Sequence, residues 1–336
     1  MIISRTPFRI SFFGGGTDYP AWYKKNDGLV LSTSIDKYCY VMCRYLPPFF
    51  ECNYRIRYSA TELTKTVQEI RHPSIRECIL FLDIKRGLEI QHNADLPAMS
   101  GLGSSSSFSV GLLHCLYALI GKMVTNRQLA FDAIHVEQER IKENVGSQDQ
   151  TIAAFGGFNK IVFSAQQTIA VHPIIINEDK LSQLQQHLML FFIGFPRNAS
   201  DIAKEQIANI PKKEKELTSM MKITEMAIDA LCSETDGLDV FGRLLNEAWQ
   251  VKKSLAANIT NNYINEIYEN ALDAGALGGK LLGAGSGGFV LIFARPKDQP
   301  KIRERLKKLL FVPFNFETLG SQIIYYSHDD YAKDVI

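Results

Sequence analysis

The sequence predicts a two-domain α+β protein, and three observations carry that reading. A chain of 336 residues exceeds what one small core organises and fits two domains. Residues 1–60 alternate in the manner of strands, with RISFF, LVLSTSI, KYCYVMCRYL and YRIRYS rich in β-branched and aromatic side chains. The later half instead repeats apolar residues at helical spacing in KEKELTSMMKITEMAIDALC, LDVFGRLLNEAWQVKKSLAAN and NYINEIYENALDAGA. The change of domain is placed between 165 and 185, where SAQQ and NEDK interrupt strand patterns, giving units of 1–172 and 173–336.

Between the first strands lies FFGGGTDYPAW. Gly14, Gly15 and Gly16 permit a turn that bulkier residues cannot make, and Asp18 follows with Tyr19 and Trp22 beside it. A carboxylate among aromatic rings suits a polyol, since it accepts from two hydroxyls while a ring covers a sugar face. A glycine-rich turn with a capping Asp explains the same residues equally well. From Ala60 to Gly87 the pattern reads as helical, TELTKTVQEI and then SIRECILFLDIKRG, with Pro73 opening the second helix. GLEIQHNADLPA returns to a strand.

That strand feeds PAMSGLGSSSS, Pro97 to Ser107, and the apolar run FSVGLLHCLYALIG. The first turn of a helix leaves N–H groups without partners, and its dipole places about half a positive charge there, so it receives phosphate. Gly101 and Gly103 let the preceding backbone fold into a nest of N–H donors. Ser104, Ser105 and Ser106 add hydroxyls that reach phosphate oxygens or a phosphate-bound magnesium ion. A serine-capped buried helix behind a flexible loop is the plainer reading of this stretch alone.

Asn126 reads as the N-cap of the next helix, RQLAFDAIHVEQERIKE, which carries Glu137. Magnesium takes a few carboxylate or hydroxyl oxygens besides phosphates and water, so Glu137 is a candidate ligand, although a solvated helix face also explains it. The loop VGSQDQ holds Asp149, which fits a group that takes or orients a hydroxyl proton, or else a simple helix cap. FNKIVF, TIAVHPIII and LMLFFIGFP read as strands, and the chain closes with GGKLLGAGSGGFVLIFA, the helix KIRERLKKLL and strands VPFNFE and SQIIYY.

Gly283, Gly285 and Gly288 satisfy GxGxxG, but a strand, FVLIFA, follows where a dinucleotide fingerprint needs a helix. The loop is therefore expected to join two strands and approach phosphates or substrate. Walker A and protein-kinase segments are absent. The formal net charge of +1 announces no basic face for nucleic acid or anionic membrane. No apolar run reaches the ~18 residues of a membrane span, and the N-terminus reads as strands rather than a signal peptide, which points to a cytoplasmic protein. Six scattered cysteines show no zinc-finger spacing and read as free thiols. Oligomeric state stays open, a homo-oligomer included.

Taken in order, PFRISFFGGGTD, PAMSGLGSSSS, VGSQDQ after the helix with Glu137, and KLLGAGSGG resemble the motifs of the GHMP kinases. Within that family the chain most resembles bacterial sugar kinases acting on D-glycero-D-manno-heptose 7-phosphate, through HPSIRE at His72–Glu77 and AFGGFN at Ala154–Asn159. The resemblance implies a first domain of the ribosomal S5 domain 2 type, a ferredoxin-like second domain, and an active site between them. It implies ATP and Mg2+ as cofactors and a small sugar phosphate as partner. Pro97, Gly101, Leu102, Gly103, Ser104, Ser105 and Ser106 fall on the ATP phosphate loop, and Ser105 with Glu137 on the magnesium ligands. Asp149 falls on the base, and Arg9 on the arginine that stabilises it and the transferring phosphate. Asp18, with Gly15, Gly16 and Thr17, falls on the sugar contact, and Gly285 and Ser286 on the substrate side. Gly16 stands where galactokinases carry histidine, which argues against galactose. The expected reaction is transfer of the γ-phosphoryl group to an anomeric hydroxyl, with Arg197 as the candidate second cation for a phosphorylated acceptor. The rival readings are a kinase of an unphosphorylated sugar such as L-fucose and a non-catalytic sugar-binding regulator of the same fold.

Overall fold

The computed structural model describes residues 1–98, 100–166, 168–194, 199–233 and 237–327, with backbone alone at 199 and 200. Its strands are β1 (Ile2–Phe13), β2 (Gly28–Tyr45), β3 (Tyr54–Arg57), β4 (Thr61–Thr64), β5 (Leu88–Ala94), β6 (Phe158–Phe163), β7 (Ile169–Pro173), β8 (Leu188–Gly194), β9 (Gly278–Leu281), β10 (Gly288–Phe293), β11 (Leu310–Phe311), β12 (Phe316–Glu317) and β13 (Gln322–Tyr326). Its α-helices are α1 (Pro20–Tyr23), α2 (Pro73–Phe81), α3 (Ser104–Leu119), α4 (Asn126–His135), α5 (Gln148–Phe155), α6 (Glu178–Gln186), α7 (Ala199–Asn209), α8 (Glu214–Cys232), α9 (Leu238–Lys253), α10 (Asn262–Asp273) and α11 (Gln299–Arg305). None of the described helices is long and apolar enough to cross a membrane.

The long strand β2 is the spine of a nine-stranded sheet ordered β13-β1-β2-β5-β3-β4. It pairs antiparallel with β1 along most of its length, with β6 over Gly28–Thr33, with β12 at Ser34 and Ile35, and with β5 over Cys39–Tyr45. Among the described strand pairs only β3 and β5 run parallel. The second sheet is antiparallel, ordered β11-β8-β10-β9. Since β12 and β13 return to the first sheet, that sheet is built from two separated stretches of chain, whereas the second uses the consecutive strands β8 to β11.

Two apolar cores lie beneath these sheets. The apolar faces of α3 bury Val110, Leu112, Leu113, Cys115 and Leu116, each a contribution of about 1.5–3 kcal/mol for the larger side chains. Gly111 lets α3 approach β1 closely: a Cβ there would lie 2.7 Å from the Thr6 hydroxyl. The α9 stripe spans both cores, with Phe241, Leu244 and Leu245 in one and Trp249 in the other.

Local chemistry departs from the sequence reading in four places. TELT is strand β4, not helix, because β-branched Thr61 and Thr64 pair in a hairpin with β3 while Glu62 is buried, accepting from the backbone N–H of Arg71 and His72. Thr125, rather than Asn126, caps α4, its hydroxyl accepting from the Gln128 N–H at 3.2 Å. NEDK does interrupt the strand pattern, but by opening a helix that the sequence reading lacks: Asn177 caps α6 by accepting from the Lys180 N–H at 2.7 Å. Finally, the helix after Asn126 does not run on regularly but widens into a π-turn over Val136–Ile141.

Candidate active site

The mouth of α3 opens on a left-handed Gly103 (φ +77°), preceded by Gly101 at φ +83°, and no side chain caps it. A Cβ on Gly101 would lie 2.5 Å from the Leu282 carbonyl oxygen, and one on Gly288 only 2.2 Å from that of Ser100. The two glycine turns thus pack backbone to backbone. As expected, the 283–288 turn joins two strands, β9 and β10, and lies against the α3 mouth.

Arg9 crosses from β1 to the first turn of α5, where Asp149 sits on a helix rather than on a loop. Its Nε donates to Asp149 Oδ1 at 2.8 Å and its Nη2 to Oδ2 at 2.7 Å, while Nη1 donates to the Gly101 carbonyl at 2.6 Å. The fork therefore ties the carboxylate to the glycine turn, in the planar geometry only Arg supplies. Gly103 makes room for it, since a Cβ there would press on Arg9 Cγ at 3.1 Å.

Asp18 is buried on the opposite turn, accepting from the Gly16 N–H at 2.8 Å and from the Gln148 N–H at 3.4 Å. Gly146 is required there: its Cβ would fall 1.8 Å from Asp18 Oδ2. Burial raises the Asp18 carboxyl above its ordinary value, the Gly16 N–H opposes that, the Asp149 charge adds to it and Lys252 counters it.

Glu137 does not face solvent but is fully buried, on the π-turn. Its Oε2 accepts from Ser106 Oγ at 2.9 Å and from Gln150 Nε2. Burial first, and the neighbouring Glu143 charge second, push its carboxyl up to about 7. The hydroxyl that meets Glu137 belongs to Ser106 and not to Ser105, which is exposed, because successive residues are turned about 100° around a helix. Among the described residues no three His, Cys, Asp or Glu side chains gather as a metal cage. A hydroxyl and a buried carboxylate beside a phosphate-binding mouth nevertheless fit magnesium, which keeps much of its water and phosphate coordination. The Glu137 Oε1, buried with no hydrogen-bond partner among the described residues, is the oxygen left for it.

All of these groups but Glu137, which lies buried behind Ser106, line one cleft of about 420 Å³. Arg9, Gly15, Gly16, Asp18, Gly101, Gly103, Ser104, Ser105, Ser106, Asp149 and Gly285 line it. Two lysines absent from the sequence reading line it as well, Lys252 from α9 and Lys280 from β9, both buried. Burial lowers both amines; the Asp18 charge is the first to oppose this at Lys252, whereas the Lys252 charge deepens it at Lys280. The signal was present: Leu245, Ala248, Trp249 and Lys252 recur at helical spacing, so a lysine falls on the apolar stripe.

Other expected residues lie elsewhere. Pro97 is exposed and outside the cleft lining, and Leu102 is buried, its carbonyl accepting from the Arg9 N–H at 3.1 Å. Thr17 holds its own turn, donating to the Gly14 carbonyl at 2.8 Å. Ser286 faces a neighbouring concavity of about 630 Å³ shared with Tyr263. Trp22 is buried, donating to the Asp27 carbonyl at 3.0 Å, so only Tyr19 of the two aromatics reaches the cleft. Arg197 lies outside the described residues.

Residues 62–157 match the GHMP kinases N terminal domain, and residues 227–310 match GHMP kinases C terminal. The chain is 30% identical over 319 residues to D-glycero-alpha-D-manno-heptose 7-phosphate kinase of Campylobacter jejuni, covering 91% of this chain and 93% of that protein. It is 26% identical to the bifunctional fucokinase/GDP-fucose pyrophosphorylase of Arabidopsis thaliana over 90% of this chain but 31% of that protein. In fold it resembles a D-glycero-D-manno-heptose 1-phosphate kinase from Bacteroides thetaiotaomicron, with a TM-score of 0.75, 21% identity, and coverage of 97% of this chain and 100% of that one.

Proposed function

This chain belongs to the GHMP kinase family and is an ATP-dependent sugar kinase; from that premise we propose that it phosphorylates the anomeric hydroxyl of D-glycero-D-manno-heptose 7-phosphate, giving the 1,7-bisphosphate. The observation that carries the reaction is the meeting of Arg9, Asp149, Asp18 and the α3 mouth in one cleft. The similarity to the Campylobacter jejuni heptose 7-phosphate kinase, over nearly all of both chains, supports the acceptor.

In the proposed mechanism the α3 mouth and its serines receive the triphosphate of ATP. Glu137, with the hydroxyls of Ser106 and Ser105, would hold Mg2+, which supplies charge neutralisation at the phosphates. Asp18 orients the sugar by accepting from its hydroxyls. Asp149 takes the proton of the anomeric hydroxyl as its oxygen forms a bond to the γ-phosphorus and the bond to the ADP oxygen breaks. Arg9 holds Asp149 in place and offsets charge on the transferring group, since such transfer depends on alignment and electrostatics. Each Asp149 oxygen keeps a lone pair beyond its Arg9 bond, so the pairing does not prevent proton acceptance.

A second reading, with an unphosphorylated acceptor such as L-fucose, draws on the similarity to the Arabidopsis thaliana bifunctional enzyme. A phosphate-transfer screen read by mass decides between them. With heptose 7-phosphate, free heptose, L-fucose and hexose phosphates as acceptors, the proposal expects a bisphosphate from the first. A product from L-fucose with none from heptose 7-phosphate would reverse the assignment.

A further inference from the structure

Lys252 and Lys280 bring two buried amines into the lining of one cleft, and Lys252 is the leading charge acting on Lys280. Among the described residues the Lys252 amine makes no hydrogen bond or ion pair, and the Lys280 amine donates only to the Phe12 carbonyl at 3.0 Å. Lysine is rarely buried unless paired. The carboxylates nearby do not supply the partner. Arg9 engages both oxygens of Asp149, Glu143 stands beside Glu137, and Asp18 is held by the Gly16 N–H and lies beyond ion-pair distance of either lysine. Lys252 is nonetheless set against the sugar-side turn, its Nζ 3.6 Å from where a Cβ on Gly15 would begin.

We propose that Lys252 and Lys280 form an anion subsite that receives a phosphoryl group on the acceptor side of the cleft. The inference deepens the proposed reaction and rests on it only in taking that ligand to be phosphorylated. A dianion accepts hydrogen bonds from both amines at once and offsets a charge that the side chains leave uncompensated. It has two sources, the phosphate already on the acceptor or the γ-phosphoryl group in transit. In the first case Lys252 and Lys280 take the part expected of Arg197.

The test uses the full chain saturated with a non-hydrolysable ATP analogue and Mg2+, with inorganic phosphate as the probe. If the acceptor's phosphate is the source, phosphate raises the melting temperature of this complex. Lys252→Met and Lys280→Met then each weaken phosphate ~10-fold or more, the size of one charged hydrogen bond, while analogue affinity holds. If the γ-phosphoryl group is the source, phosphate does nothing to the complex. Both variants then bind the analogue ~10-fold more weakly yet bind ADP normally. Variants that match wild type for phosphate and analogue alike overturn the subsite. Lys252→Gln and Lys280→Gln replace any Met variant that does not fold. A wild type that shows no phosphate shift, and binds the analogue no tighter than ADP, overturns the subsite without any variant. Binding of phosphate does not depend on which sugar is turned over, so a failed acceptor screen and a failed subsite are separate results.

Discussion

Arg9 and Asp149 meet through two parallel hydrogen bonds of 2.8 and 2.7 Å, and the third guanidinium contact, to Gly101, makes the pair part of the phosphate-facing turn. Lysine has one charge centre and cannot reproduce that fork. Arg9→Lys is expected to lower kcat by ~10²-fold with the affinity for an ATP analogue nearly unchanged. Asp149→Asn should lower kcat by ~10²-fold or more for want of the proton acceptor. Steady-state kinetics beside analogue titration measures both, and full turnover by the Asn variant removes Asp149 from the role of base.

Gly146 and Asp18 test the sugar side in the same way. A methyl group on Gly146 would overlap Asp18 Oδ2, so Gly146→Ala must displace the carboxylate or the 146–148 backbone. The acceptor KM should rise ~10-fold or more while the KM for ATP holds, because displacement by about an ångström is enough to lose alignment. An unchanged acceptor KM would show that Asp18 does not touch the sugar.

The parts of this site that were legible in the sequence are those whose chemistry is local. Gly101, Gly103 and the serines announce a helix mouth because positive φ and an uncapped first turn are properties of a few consecutive residues. The burial of Glu137 was partly legible, since Ala130, Ala133, Ile134 and Glu137 recur at helical spacing and set a carboxylate on the apolar stripe, but spacing alone does not say what covers that face. TELT read as helix because its hairpin partner and the backbone N–H groups that satisfy Glu62 come from other segments. Lys252 was readable in the way Glu137 was, from its place on the α9 stripe, but a lone lysine on an apolar face carries no meaning until Lys280 and Asp18 are brought to it.

The Ser106 and Glu137 pair predicts how the magnesium requirement will respond. Glu137→Gln keeps the shape of the side chain but removes its charge, and the Mg2+ concentration for half-maximal rate should rise ~10-fold or more. Ser106→Ala also strips a donor from the buried carboxylate and should raise that concentration more than Ser105→Ala does. Magnesium titrations of the three variants check this. A larger effect at Ser105 would mean that the exposed hydroxyl, not the one bonded to Glu137, reaches the metal.

His92 connects the nucleotide-side helix to acid stability. Its ring packs edge-on to Phe108 of α3 at 4.8 Å, and burial first, then the His72 charge, lower its imidazole to about 4 from an ordinary 6.5. Above pH 6.5 His92 is neutral in both folded and unfolded chains, and its contribution to stability is fully present. As pH falls from 6.5 through about 4 the unfolded chain takes up a proton that the folded one refuses, so stability is lost over that window. His72 and His114, lowered by burial, act in the same direction. Asp18 and Glu137, whose carboxyls are raised, act in the opposite one, gaining stability as pH falls toward their unfolded values. The decisive quantity is therefore the difference between His92→Phe and wild type, in which those contributions cancel. Thermal melts at pH 7, 6, 5 and 4 should show the variant losing less stability on acidification than wild type, by at most about 1.4 kcal/mol per pH unit for one proton. Parallel curves for the two proteins would mean that His92 is protonated in the folded state after all, with its ring open to water rather than held against Phe108.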